Sequence, residues 1–305
     1  MLSEDLLNKI KEKYASTGEN PNNYLKGLLH AKPINYWDYI QVDTLLSLQN
    51  TRTDFKDEKI FIMYHQVTEL VLKMMNHELE QLVFDTLTED VWVDKLNRLI
   101  RYTDMLITSF DVMRSGMNYD DYNTFRYTLT PASGFQSAQF RELEIYCTPL
   151  ENLINEGGKE RISENPDIDE LFDQVYWKDA GHNRKTDTKS KTLQLFEEKY
   201  LEKFKSLARK VKGKTLYEQI QAKENPSEAL REKLREFDHI YNVKWPIVHL
   251  ETAQFYLDSK GESKAATGGS EWKKYLHPKY QQRKFFPNLW SAAEIEKWGE
   301  QKDLY

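Results

Sequence analysis

Between Glu58 and Leu87 the chain runs without a proline or a glycine, and its apolar residues occupy more than one side of a helix: Ile60, Phe61, Val67, Leu70, Val71, Met74, Met75, Leu79, Leu82 and Val83. An ordinary surface helix carries one apolar stripe, whereas a helix with this little polar surface has to be enclosed by other elements. The rest of the chain is therefore constrained to wrap it. From Trp92 the apolar positions fall at Trp92, Leu96, Leu99, Leu106, Phe110 and Met113, broken only at Thr103. Alternating steps of three and four line one helical face. Thr88, followed by Glu89 and Asp90, predicts the cap and acidic first turn of that second helix.

Further helices are predicted at about 36–49, 136–155, 167–177, 190–212 and 226–258. No run of alternating β-branched residues is long enough for a sheet, so the fold class is all-α. Breaks fall at 114–135, 155–167, 178–191 and 258–272. None has the length or composition of a domain linker and no repeat is found, which predicts a single helical domain over 1–305. Loops of this size in a compact fold more often carry function than merely connect.

Lys and Arg total 43 against 49 Asp and Glu, a net charge of −6. That balance argues against binding nucleic acid through a broad basic surface, so arginines here should act as local anion clamps. A single cysteine, Cys147, excludes an internal disulfide and a cysteine-based zinc or iron–sulfur site. The first residues lack the apolar core of a signal peptide, and no stretch approaches the ~20 apolar residues that span a bilayer. A soluble, cytoplasmic protein with no membrane partner is expected.

The seven histidines are His30, His65, His77, His182, His239, His249 and His277, and none lies three or four residues from another. A two-histidine metal face on a helix is thereby unsupported. A cofactor that needs one protein ligand remains open, heme with one proximal histidine being the main example. His65 in "IFIMYHQVTELVL" and His249 in "VKWPIVHLETAQFYL" have apolar surroundings. Taken alone, each reads first as a hydrogen-bonded core histidine and only second as a ligand. Pro246 suits the first turn of a new helix, or a kink, just before His249.

Arg126 follows "YDDYNTF". An ion pair with Asp120, Asp121 or Glu144 and a two-point grip on a ligand carboxylate stand level on sequence alone. "ATGGSEW" (266–272) lacks the spacing of a phosphate loop. Its paired glycines suit either a surface loop or a lid that brings Thr267 and backbone N–H groups onto a small polar ligand. Nucleophile-elbow and dinucleotide-binding motifs are missing.

Taken together, "YWDYIQVDTLLSLQ" (36–49), "FIMYHQVTELVLKMMNHEL" (61–79), "YNTFRYTLTPASGFQSAQFRELE" (122–144), and "WPIVHLETAQFYL" with "ATGGSEWKKYL" and "FFPNLW" (245–290) resemble the tryptophan 2,3-dioxygenase family, in family order. The stretch from about 151 to 225 matches least. The resemblance implies heme b with His249 as the proximal iron ligand. It implies that His65 hydrogen-bonds the indole N–H, that Phe61 packs on the indole, and that Arg126, assisted by Tyr122, clamps the carboxylate. Thr267 would meet the ammonium and carboxylate from a lid, and Ser133 and Gly134 would pack beside the porphyrin. Tyr36 and Tyr39 match aromatics contributed by a neighbouring subunit, with the segment of about 1–35 packed on that neighbour in a homotetramer.

The implied reaction opens the indole C2–C3 bond of L-tryptophan with O2 to give N-formylkynurenine. The same residues would serve a heme monooxygenase of a substituted indole or other aromatic amino acid, or a non-catalytic heme- or amino-acid-binding protein. The chain departs from the family pattern in a longer spacing from His249 to Thr267, in "SEW" after the glycine pair and in Pro246. These departures bear on substrate range and rate more than on heme binding.

Overall fold

The computed structural model describes residues 3–129, 134–257, 273, 276–300 and 302–305. They divide into two compact units, Met1–Asn50 and Thr51–Tyr305. In the first unit, α1 (Glu4–Ala15) is capped by Ser3 and α2 (Pro21–Leu28) by Asn20, with Pro21 in its first turn. Tyr14 and Tyr24 stack at 4.3 Å between the two helices. In place of the one helix expected over 36–49 there are two four-residue helices, α3 (Tyr36–Tyr39) and α4 (Val42–Leu45). Gln41 between them takes φ +54°, which interrupts the right-handed series of hydrogen bonds. None of these four helices carries a buried residue.

The second unit is built on α5 (Glu58–Phe84), which returns as α6 (Glu89–Ser115) after a short connection. The two pack on each other, α8 (Ala138–Cys147) packs on α5, and both α13 (Glu228–His239) and α14 (Trp245–Leu257) pack on α6. α5 is central, as its composition requires, but its two halves differ. From Val71 onward it supplies the core with Val71, Leu72, Met75, Leu79, Leu82 and Val83. Its earlier half, which holds Phe61 and His65, is only partly covered. On α6, Trp92, Leu96, Leu99 and Leu106 are buried as their spacing predicts. Thr103, the polar exception in that row, is also buried, because its hydroxyl donates to the Leu99 carbonyl at 2.9 Å. Thr88 holds the cap position in extended backbone but makes no side-chain cap bond.

The other predicted helices are trimmed for local reasons. α8 stops at Cys147 because Thr148 precedes Pro149 and is driven to extended backbone, φ −151° and ψ 153°. A 3₁₀ turn, Leu150–Leu153, follows. The helix expected at 167–177 is α10 (Ile168–Gln174) and then a 3₁₀ turn, Tyr176–Ala180. The helix expected at 190–212 is α11 (Lys191–Val211), capped by Ser190, with the shorter helices α9 (Glu156–Lys159) before α10 and α12 (Leu216–Ala222) after α11. Among the described residues the only strands form a two-residue antiparallel hairpin, β1 (His182–Asn183) and β2 (Thr188–Lys189), so the all-α class stands.

The segment expected as one helix over 226–258 runs as α13, a π-helical turn at Ile240–Lys244, and α14. Pro246 explains the wide turn. It has no N–H, and its ring would crowd the carbonyl four residues back, that of Asn242. One extra residue per turn relieves the crowding, and the Trp245 N–H reaches the Ile240 carbonyl instead. One local and one long-range contact hold the turn: Asn242 Nδ2 donates to Asp238 Oδ1, four residues earlier, at 2.7 Å, and Arg283 Nε donates to Asn242 Oδ1. Asp238 also accepts from the Phe285 and Phe286 N–H groups, at 2.8 and 3.1 Å, and from the Trp290 indole at 2.9 Å. The C-terminal strand of chain is thereby tied to the root of α14.

Candidate active site

Phe61, Tyr64 and His65 stand on the partly covered half of α5. His65 lies one turn after Phe61, with ring centroids 4.1 Å apart and its Nδ1 2.8 Å from the Phe61 carbonyl oxygen. A carbonyl can only accept, so Nδ1 must carry the proton. Burial lowers the His65 pKa, with the hydrogen bond to Phe61 partly opposing it. The ring is therefore neutral near pH 7, and its Nε2 presents a lone pair.

The opposing helices bring three more groups to this place. α7 (Tyr119–Phe125) starts at Asn118, whose side chain accepts from the N–H groups of Asp120 and Asp121, and whose own N–H donates to Asp57 Oδ2 at 2.6 Å. So anchored at the mouth of α5, α7 sets Tyr122 6.0 Å from Phe61 and Phe125 5.8 Å from it. Arg126 follows one turn after Tyr122, is buried, and lies with its guanidinium 4.9 Å from the Tyr127 ring centroid. Its charge acts against the burial that raises the Tyr122 pKa. Glu144, one of the acids weighed as its partner, is engaged elsewhere: it pairs with Arg141 and Arg283, each at 3.1 Å, and accepts from Tyr176 at 2.6 Å.

His249 is on α14, its ring stacked on Phe110 of α6 at 5.3 Å. Burial, then the nearby His65, holds its pKa down at about 4. It is thus a neutral imidazole with one nitrogen lone pair available to a metal. Phe110 in turn meets Tyr64 at 6.0 Å, and Tyr64 meets His65 at 5.4 Å. Both imidazoles keep accessible surface, although protein atoms crowd them closely enough to depress their basicity. Side chains in that condition line a recess. Hollows of about 210 Å³ beside Trp290 and Trp298 and about 360 Å³ beside Phe84 and Trp92 contain none of these residues.

Phe61, His65, Tyr122, Arg126 and His249 are thus gathered in one place. Tyr36 and Tyr39 belong to the first unit and are strongly exposed. Thr267 and Ser133 lie outside the described residues. Gly134 opens a 3₁₀ turn, Gly134–Gln136, in which Phe135 is buried against Trp177 and Phe196. Ser137, the second serine of the Ser-Gly-Phe-Gln-Ser run, caps α8 by accepting from the Phe140 N–H at 3.2 Å. Part of that run is therefore structural. Sequence reasoning did not single out Tyr64 and Phe110, which link His65 to His249, or Tyr256, which packs behind Tyr122. Tyr256 could have been found, since it lies seven residues after His249 and so on the same face of α14.

The arrangement defines an all-helical protein with a recess for a flat ligand. One neutral imidazole is available to hold a metal centre through a single protein ligand, a second lies near enough to influence it, and a buried guanidinium follows Tyr122 on the neighbouring helix. The sequence profile of the tryptophan 2,3-dioxygenase family matches residues 27–209, and the chain belongs to that family. A tryptophan 2,3-dioxygenase of Bacillus thuringiensis subsp. konkukian is 30% identical over 281 residues, covering 85% of this chain and 91% of that protein. One from Ruegeria pomeroyi is 35% identical over 132 residues, 42% of this chain and 47% of that protein. Tryptophan 2,3-dioxygenase 2 of Ralstonia nicotianae is 41% identical over 127 residues, 37% of this chain and 34% of that protein. The profile's span includes Phe61, His65, Tyr122 and Arg126. His249 lies beyond it.

Proposed function

We propose that this chain cleaves the indole C2–C3 bond of L-tryptophan with O2, giving N-formylkynurenine, with heme b held by His249. The observation that carries the reading is the tautomer of His65. With Nδ1–H committed to the Phe61 carbonyl, Nε2 can only accept, and the indole N–H is the one donor on the substrate's ring system. Phe61 supplies an aromatic surface for the indole. The Arg126 guanidinium, with the Tyr122 hydroxyl one turn away, suits a two-point grip on the carboxylate.

A single neutral nitrogen donor stacked on an aromatic ring, as His249 is on Phe110, fits heme with one protein ligand. When bound, heme supplies the centre at which O2 is activated. The protein's own part is to hold the amino acid in one orientation, to accept a hydrogen bond from N1 at His65 Nε2, and to keep water from the apolar walls. Thr267 closes over the ammonium and carboxylate, and Ser133 and Gly134 border the porphyrin. Tyr36 and Tyr39 complete the recess of a neighbouring copy in a cytoplasmic homotetramer, the segment of about 1–35 packing on that neighbour. No helix among the described residues is long and apolar enough to cross a membrane.

Heme-loaded protein, reduced with dithionite and given tryptophan and O2, should accumulate the absorbance of N-formylkynurenine. A ring-intact hydroxylated product would instead identify a monooxygenase, and absence of a Soret band after heme reconstitution would remove both.

A further inference from the structure

Tyr256 is almost fully buried on α14, two turns after His249 and on the same face. Its hydroxyl donates to the Met113 carbonyl near the end of α6, and burial pushes its pKa up to about 12, so it stays a donor throughout the neutral range. Its ring lies 4.3 Å from Tyr122 and stacks on Tyr119 at 5.6 Å, 14° from parallel. The Tyr119 hydroxyl closes the arrangement by donating to the Tyr256 carbonyl at 3.3 Å. The neighbouring Phe255 adds an edge-on contact with Tyr119 at 5.8 Å.

Three helices therefore meet at one side chain. α14 carries His249, α7 carries Tyr122 and leads into Arg126, and the end of α6 receives the hydroxyl. Tyr122 is in turn 6.0 Å from Phe61, the ring beside His65. We infer that Tyr256 is a positioning residue that sets substrate specificity: tethered to α6, it backs Tyr122 and so fixes where the Tyr122 ring stands against Phe61. The inference rests on the proposed tryptophan-cleaving function, whose substrate ring would pack against that aromatic pair. Tyr256 touches neither substrate nor heme in this account; it acts through Tyr122.

Loosening the tether should let Tyr122 yield and admit a bulkier ring. The test uses heme-loaded wild type, Tyr256→Phe and Tyr256→Leu, with tryptophan and benzo-ring-methylated tryptophan as paired substrates. Tyr256→Phe keeps the ring and loses only the bond to Met113, so it should raise the ratio of kcat/KM for the methylated over the parent substrate about threefold. Tyr256→Leu removes the backing ring and should raise that ratio about tenfold, through KM more than kcat, with heme content and Soret position unchanged. A merely structural role would lower both substrates' rates in parallel. The inference is overturned if the ratio in Tyr256→Phe, the variant expected to fold in every case, stays within 1.5-fold of wild type. Wild type that turns over neither substrate would instead overturn the proposed function itself.

Discussion

His65 donates from Nδ1 to the carbonyl of Phe61, one turn earlier on the same helix, at 2.8 Å, while the two rings pack at 4.1 Å. One contact fixes the tautomer and the other fixes the ring plane, so the free Nε2 has a defined direction. If that nitrogen accepts the indole N–H, His65→Ala should lose about 1–1.5 kcal/mol of transition-state binding for tryptophan, roughly tenfold in kcat/KM. The loss for 1-methyltryptophan, which has no N–H to offer, should be under about threefold. Steady-state kinetics with the two substrates measures it, and an equal loss on both would remove the acceptor role.

Arg126 is buried at the end of α7. A charge-assisted, two-point hydrogen bond contributes about 1.5–3 kcal/mol. Arg126→Ala should accordingly cost about tenfold or more in kcat/KM for tryptophan. Binding of tryptamine, which lacks the carboxylate, should change little. Arg126→Lys keeps the charge without the fork and should recover only part of the loss. Full activity in Arg126→Ala contradicts the clamp.

His249→Gly opens a hole where the imidazole stood, against Phe110. This variant should purify without a Soret band after heme reconstitution, and millimolar-scale imidazole should restore one, as the free base fills the vacated site. A Soret band of wild-type intensity without imidazole would assign the iron ligand to another residue.

Both oxygens of Asp238 accept two hydrogen bonds each: Asn242 and the Phe285 N–H on one, the Phe286 N–H and Trp290 on the other. Asp238→Asn turns one acceptor into a donor facing donors, and leaves buried N–H groups without partners at about 1–3 kcal/mol each. Unfolding in urea should show a stability loss of about 2–4 kcal/mol, with heme uptake weakened because the π-helical turn before His249 loses its anchor. A loss below about 0.5 kcal/mol would show that the network is dispensable.

Glu294 ties the C-terminal segment to α13. Arg235 Nη2 is 2.5 Å from its Oε1, and the Ser291 N–H donates to Oε2 at 2.8 Å. The arginine first, then the serine N–H, hold its pKa at about 2 against an ordinary 4.5. Because the folded value is the lower one, the unfolded chain takes up the proton first as pH falls. The contribution to stability is complete above pH 4.5 and is lost as pH drops toward 2. Glu294→Gln should therefore lower Tm clearly more at pH 6 than at pH 2.5, where most of the contribution is gone. Equal effects at the two pH values would refute the ion pair's part.

Much of this protein was legible from residues in order. The stretch at 58–87, free of proline and glycine and apolar on more than one side, pointed to a central helix, although Val67, Leu70 and Met74 on it are exposed, and the three-and-four spacing from Trp92 gave its partner. Helical periodicity is a local property, set by which positions face one side of 3.6 residues per turn, so it survives without knowledge of the fold. The resemblance of four blocks singled out Phe61, His65, Tyr122, Arg126 and His249 before any geometry was available. The sequence could not decide whether His65 and His249 were core histidines or groups facing a recess. That depends on α5 and α14 packing against α6, contacts between residues far apart in the chain.

The same holds for Pro246 and Tyr256. A proline read alone predicts a break or a kink. Here the helix continues through a wide turn because Asn242 is held by Asp238 one turn earlier and by Arg283 from a distant part of the chain. Tyr256 reads as one more apolar position on α14 until its hydroxyl is seen on Met113 and its ring on Tyr122. Helix formation needs only neighbours along the chain, whereas the state of an imidazole or the backing of an aromatic ring is fixed by what folding brings from elsewhere.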